Sequence, residues 1–194
     1  MVQQMITLFD SVLETVPNVG NDEQLRSLLG QIENNRNEPS NNNTNDGCWR
    51  SSKKYKDIDW LIKEITNTVS NAIKYYSNKD QVFAEAVKNL NIKDLKIFYW
   101  TNVNQPLSRN VIHSHKSAIF SGVYYLQGTD TGNLRFINPA NILGECNNWS
   151  PFTRDFFYTP SDRDLTMWPS WLPHEVETNL SNRERINIAY DIII

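Results

Sequence analysis

Residues 95–127, "LKIFYWTNVNQPLSRNVIHSHKSAIFSGVYYLQ", decide the fold. "LKIFYWTNVN" and "AIFSGVYYLQ" are short, rich in β-branched and aromatic residues, and alternate in the period-two pattern of strands. Downstream, "NLRFIN", "DLTMWPS", "HEVET" and "RINIAYDIII" repeat that character, and "NQP", "GTDTGN" and "NLSNRE" read as the turns between strands. Upstream the period changes. "NDEQLRSLLGQIENN" offers Asn21 as an N-cap with Gln24 at the capping-box position, and it places Leu25, Leu28, Leu29 and Ile32 on one helical face. "KDIDWLIKEITNTVSNAIKYY" aligns Ile58, Leu61, Ile62, Ile65, Val69 and Ile73 in the same way, and "DQVFAEAVKNL" reads as a shorter helix. The opening "ITLFDSVLETV" fits either strand or helix. The polar "NEPSNNNTNDGCWRSS" reads as an irregular loop that Trp49 docks against the body. Helices followed by a run of strands give an α+β chain that is mainly β. The expected architecture is a single domain over residues 1–194. Its residues 1–94 are mostly helical, and residues 95–194 form a jelly-roll or barrel core.

Composition narrows the function classes. The chain has 194 residues, a formal net charge of -3 and scattered Lys and Arg, so it carries no nucleic-acid footprint. No apolar run reaches the length of a membrane span, and the N-terminus lacks the pattern of a signal peptide. Cys48 and Cys146 form no metal-type or redox pair, and they read as reduced thiols of a cytoplasmic protein. Homo-oligomerisation stays open.

The chain has only three histidines, and two of them, His113 and His115, are one residue apart. In an extended segment residues i and i+2 face the same way, so the pair can supply two metal ligands together. His174, at the start of "HEVET", is the one histidine left to complete a set. Imidazole suits borderline metals such as Fe(II), Zn(II) and Ni(II). On spacing alone, three unrelated histidines are the more economical reading.

The flanking segments add a resemblance. "WTNVNQP", "HSHKSAIFSGVYYL", "GNLRFINP", "DLTMWPSWLPHEVETN" and "RERINIAYD", in this order, resemble the 2-oxoglutarate- and Fe(II)-dependent oxygenases of the prolyl-hydroxylase-like superfamily. The group they are most similar to occurs in bacteria and cyanophages. "SNNNTNDGCWRSS" is similar to a polar segment of the same group. The resemblance implies a double-stranded β-helix (a jelly roll, cupin-like) with the N-terminal helices packed on it. It also implies a host-cytoplasmic location if the chain is phage-encoded. As cofactors it implies Fe(II) and 2-oxoglutarate, with His113 and His174 as metal ligands. His115 falls where most of the superfamily has a carboxylate. It is taken as the third ligand, and a role behind the ligands is the alternative.

By the same resemblance Arg185 clamps the far carboxylate of 2-oxoglutarate. In "RINIAYD" Arg185 shares a face with Asn187 and Ala189, while Arg183 lies in the preceding turn and is solvated. Tyr125 resembles a tyrosine aimed at that carboxylate. Asn102 and Asn104 share a strand face and are placed as hydrogen-bond donors in the pocket. Trp168 and Trp171 of "MWPSWLP" are expected beneath the distal histidine rather than on substrate. The implied reaction is hydroxylation of an unidentified small molecule or protein side chain, with release of succinate and CO2. Two other readings stand beside it: a three-histidine metal dioxygenase that does not use 2-oxoglutarate, and a non-catalytic jelly-roll binding module. The loops around Asn37–Gly47 and residues 138–164 are expected to wall the pocket.

Overall fold

In the computed structural model, which describes residues 11–40, 45–139 and 154–193, the period-two segments pair into one curled, nine-stranded antiparallel sheet. The strands are β1 (Glu14–Val16), β2 (Asn45–Ser51), β3 (Lys96–His113), β4 (Phe120–Gln127), β5 (Leu134–Phe136), β6 (Phe156–Tyr158), β7 (Leu165–Pro169), β8 (His174–Val176) and β9 (Arg185–Ile193). Their order is β1-β7-β4-β9-β3-β8-β5-β6, with β2 added along β3. The curl comes from β3. Its first half pairs with β9, from Lys96↔Ile193 to Asn104↔Arg185, and its last residues pair with β8 through Asn110↔Val176 and His113↔His174. One strand thus passes from one sheet of the double-stranded β-helix to the other, the corner device of packed sheets.

The helices are α1 (Asp22–Asn35), α2 (Asp59–Lys79) and α3 (Gln81–Val87). The capping box at α1 is made: Gln24 N–H donates to Asn21 Oδ1, and Asn21 N–H donates to Gln24 Oε1. Leu28 and Ile32 of α1 and Leu61, Ile65 and Val69 of α2 are buried against the outer face of the sheet. There they meet Val103, Tyr124, Leu165, Met167, Ile188 and Tyr190. Each such aliphatic side chain contributes about 1.5–3 kcal/mol by leaving water. Ile62, Ile73, Leu25 and Leu29 lie at the margin of the same core. In β9 the alternation assigns Ile186, Ile188, Tyr190 and Ile192 to this core, so Arg185, Asn187, Ala189 and Asp191 face the barrel interior.

Gly122 is where these layers come closest. A Cβ there would stand 2.3 Å from the Thr166 carbonyl oxygen and 2.3 Å from Tyr190 Cζ. The missing side chain lets the Tyr190 phenol lie across β4 and donate to Thr166 O at 2.9 Å.

The structure corrects three expectations. The polar segment taken for a loop contains β2, paired with β3 from Asn45↔Asn110 to Ser51↔Thr101. Its hydrogen bonds come from a strand far away in sequence, which local composition does not report. Trp49 does dock, half-buried against the core, with its indole N–H on Glu38 O at 3.1 Å. "NQP" does not reverse the chain. It lies inside β3, where residues 105–108 bulge opposite Gly47 and Leu107 takes φ 70°. The turn residues mark the bend at which β3 changes sheets. Third, β6 and Asp155 lie in the segment read as one long loop. The opening residues before 11, Cys146 and the middle of that loop lie outside the described residues. No helix among the described residues is long and apolar enough to cross a membrane.

Candidate active site

The register of β3 and β8 places His113 opposite His174, with ring centroids 4.4 Å apart. His115 lies two residues beyond the end of β3, where its backbone N–H donates to Ser170 O at 2.9 Å. That anchor returns its ring to 5.1 Å from His113 and 5.3 Å from His174. A ring nitrogen from each of the three lies within 4.8 Å of the other two.

Each imidazole is held by Nδ1. His113 Nδ1 meets Val111 O at 2.7 Å, His174 Nδ1 meets Leu172 O at 2.9 Å, and His115 Nδ1 meets Asp191 Oδ1 at 2.6 Å. Carbonyls and carboxylates only accept, so the proton is on Nδ1 in all three rings and the Nε2 lone pairs are left open. His115 Nε2 is buried and has no hydrogen-bond partner among the described residues. His174 is 3% exposed, with Trp168 edge-on at 4.9 Å. Burial, reinforced by the nearby His113, pushes its pKa down to about 3. Burial also lowers the pKa of His113, against the pull of the Val111 carbonyl. Both rings are therefore neutral at physiological pH. Three imidazoles held by Nδ1, with their Nε2 atoms turned to one another, are a donor set suited to a divalent transition metal.

The histidines open on a cavity of about 270 Å³ inside the barrel, and Arg185 lines the same cavity. Arg185 is 1% exposed. Its Nε donates to Thr131 Oγ1 at 3.0 Å and one terminal nitrogen donates to Gly132 O, while Nη1 has no hydrogen-bond partner among the described residues. Gly132 holds φ 93°, and a Cβ there would press on the Glu177 and Thr178 carbonyl oxygens at 3.1 Å. A buried guanidinium with an unmet donor fits an anionic ligand, because leaving that donor unpaired costs roughly 1–3 kcal/mol. Tyr125 lies under the guanidinium at 5.9 Å, and burial raises its pKa to about 12, so its hydroxyl keeps its proton and can donate. Tyr124, on the opposite face of β4, is a core residue donating to Val19 O at 3.0 Å.

Asn102 lines the cavity and donates to Asn187 Oδ1 at 3.0 Å. Asn104 is turned aside, with its Nδ2 on Cys48 Sγ at 2.6 Å and on Asn110 Oδ1 at 2.9 Å, so it braces the wall instead of lining it. Trp168 packs against His174 and Trp171 is half exposed. Arg183 is exposed in the turn, 3.6 Å from Asp162. Sequence reasoning missed Arg50, Trp100, Ser121 and Asp191. Arg50 enters from the unforeseen β2, over the Trp100 ring at 4.5 Å, and Trp100 in turn stacks on His115 at 5.8 Å. Asp191 was within reach of the pattern: the alternation that groups Arg185, Asn187 and Ala189 includes it two residues further on.

Residues 98–191 match a family model described as "Putative 2OG-Fe(II) oxygenase". No curated protein matches the sequence. Among solved structures the chain is similar to a Pseudomonas putida prolyl-4-hydroxylase, with TM-score 0.59, 15% identity, and 93% of this chain and 91% of that one covered. It is also similar to a prolyl hydroxylase from Trichoplax adhaerens in complex with a hypoxia inducible factor oxygen degradation domain peptide fragment. There the TM-score is 0.60 and the identity 14%, with 93% and 83% of the chains covered. A third is HygX from Streptomyces hygroscopicus with nickel and 2-oxoglutarate bound, with TM-score 0.54, 12% identity, and 93% and 82% covered. At these identities the likeness is one of fold.

Proposed function

We propose that this protein, which belongs across residues 98–191 to the 2OG-Fe(II) oxygenase family, is an oxidoreductase that uses Fe(II) and 2-oxoglutarate to hydroxylate a substrate. The observation that carries the site assignment is the pairing, in one cavity, of three imidazoles with open Nε2 atoms and a buried arginine whose Nη1 is unmet. His113, His115 and His174 would hold the metal. Arg185 would bind the far carboxylate of 2-oxoglutarate, with the Tyr125 hydroxyl as a second donor. Asn102 and Asn187 supply further polar surface in the same wall. Bound together, the two cofactors supply an oxidation in which dioxygen is consumed, 2-oxoglutarate leaves as succinate and CO2, and a substrate C–H bond is hydroxylated.

The chain's own residues orient and shield that chemistry. The carbonyls of Val111 and Leu172 fix the tautomers of His113 and His174, so neither ring has to lose a proton to bind metal at neutral pH. Trp168, Leu134 and Val176 close the inner wall with apolar surface and keep water from the cofactor end of the cavity. Arg50, Trp100 and Lys116 line the His115 side, where a small molecule or a protein side chain would enter.

The test is to add Fe(II) and 2-oxoglutarate to the protein under anaerobic conditions and to record the visible spectrum. A weak charge-transfer band that vanishes in His174→Ala is the expected result. Iron binding without a band would favour the three-histidine dioxygenase reading, which is supported by a cluster that, among the described residues, is all histidine. Failure to bind any metal would sink both and favour a binding module.

A further inference from the structure

The three imidazoles are not held alike. Backbone carbonyls accept hydrogen bonds from the Nδ1–H groups of His113 and His174, whereas the Nδ1–H of His115 donates to a carboxylate, Asp191 Oδ1, at 2.6 Å. That carboxylate is itself built in. Ser121 Oγ donates to the same oxygen at 2.7 Å, and Ser121 and Asp191 are register partners on β4 and β9. Ser121 is 1% exposed, and Trp100 covers the His115 ring. The contact is part-buried, with the His115 and Asp191 side chains 14% and 20% exposed, so solvent screening is reduced there.

A divalent ion held by three neutral imidazoles receives no negative charge from its ligands. Among the described residues, the one anion in the cluster's hydrogen bonds is Asp191, a single ring away from the His115 Nε2 atom. A carboxylate accepting the Nδ1 proton raises the basicity of the other nitrogen and fixes the plane of the ring. Arg50 lies over the Trp100 ring at 4.5 Å, within electrostatic range of Asp191.

We propose that Asp191 is a positioning residue that supplies the metal centre with its negative charge through His115. This rests on the three histidines being metal ligands, as proposed above. Asp191 thereby tightens metal binding and makes bound iron easier to oxidise.

The experiment separates charge from shape. Asp191→Asn keeps an Oδ1 acceptor for both His115 and Ser121 and removes only the charge, whereas Asp191→Glu keeps the charge. For each variant the anaerobic Fe(II) dissociation constant is measured without 2-oxoglutarate, together with the Fe(III)/Fe(II) midpoint potential and the melting temperature of the metal-free protein. Asp191→Asn should weaken Fe(II) binding by about 10- to 100-fold and move the potential to more positive values. Asp191→Glu should retain most of both. In a His115→Ala background, Asp191→Asn should add nothing further to the loss, because its path to the metal is gone. Wild-type affinity and potential in Asp191→Asn would overturn the proposal, as would a Glu variant that falls as far as the Asn variant. A wild-type protein that binds no metal overturns the metal-centre reading itself, and this one with it.

Discussion

Between about pH 7.5 and about pH 5 the metal-free protein should lose about 2 kcal/mol of stability through His174 alone. The ring is 3% exposed and neutral, and burial lowers its pKa from 6.5 to about 3. In the unfolded chain the same group titrates at its ordinary value. Below that value the unfolded state therefore takes up a proton that the folded state refuses. The stabilisation from His174 is complete above the unfolded pKa and is lost as the pH falls, at about 1.4 kcal/mol per unit. The 1.5 units from roughly 6.5 to roughly 5 give the 2 kcal/mol. His113, also lowered by burial, adds in the same direction. The variant His174→Gln separates the histidine from Glu14, whose pKa burial raises and which acts in the opposite direction. Glu184 and Asp162, whose pKa values lie below their usual range, lose their contribution only in more acidic solution. The assay is urea denaturation of chelator-treated protein at both pH values, in wild type and His174→Gln. The glutamine variant should show a correspondingly flatter dependence. Equal wild-type stability at the two pH values, or an undiminished drop in the variant, would refute the account of a neutral, buried third histidine.

Arg185→Met should leave Fe(II) binding intact and weaken 2-oxoglutarate binding at least about tenfold, since a charge-assisted hydrogen bond contributes roughly 1.5–3 kcal/mol. Titration of the charge-transfer band reads this directly, and an unchanged 2-oxoglutarate affinity would remove Arg185 from the site. Tyr125→Phe should cost a smaller factor in the same titration, about 2- to 12-fold for one neutral hydrogen bond of about 0.5–1.5 kcal/mol. Gly122→Ala should destabilise the fold by about 3 kcal/mol or more, because its Cβ would stand 2.3 Å from the Thr166 carbonyl oxygen and from the Tyr190 ring. Thermal denaturation checks it, and a variant that melts with the wild type would mean that β4 and β9 can move apart at no cost.

Several of these features follow from the sequence itself, because they depend on residues near one another along the chain. The period of 3.6 marks α1 and α2, and the capping box at Asn21 is complete in four consecutive residues. The period of two divides β9 into a core face and a cavity face, and with it places Arg185, Asn187 and, unread, Asp191 in the interior. The histidines announce themselves by scarcity and spacing, and the order of the flanking segments ties them to the oxygenase pattern.

Only the tertiary structure decides the rest, because it depends on partners remote in sequence. β2 exists because β3 offers it a ladder, and that ladder carries Arg50 into the cavity from a stretch whose composition argues for a loop. The turn residues at 104–106 bend a strand instead of ending it, because β9 claims one half of β3 and β8 the other. Register sets His113 against His174, and the Ser170 carbonyl brings His115 round to join them. The proton on each Nδ1 is fixed by an acceptor that only the fold supplies, and for His115 that acceptor lies 76 residues away. Residue types and their faces are local properties of a chain. Which lone pair is left free, and which charge stands behind it, are decided by contacts that close only when the sheet curls.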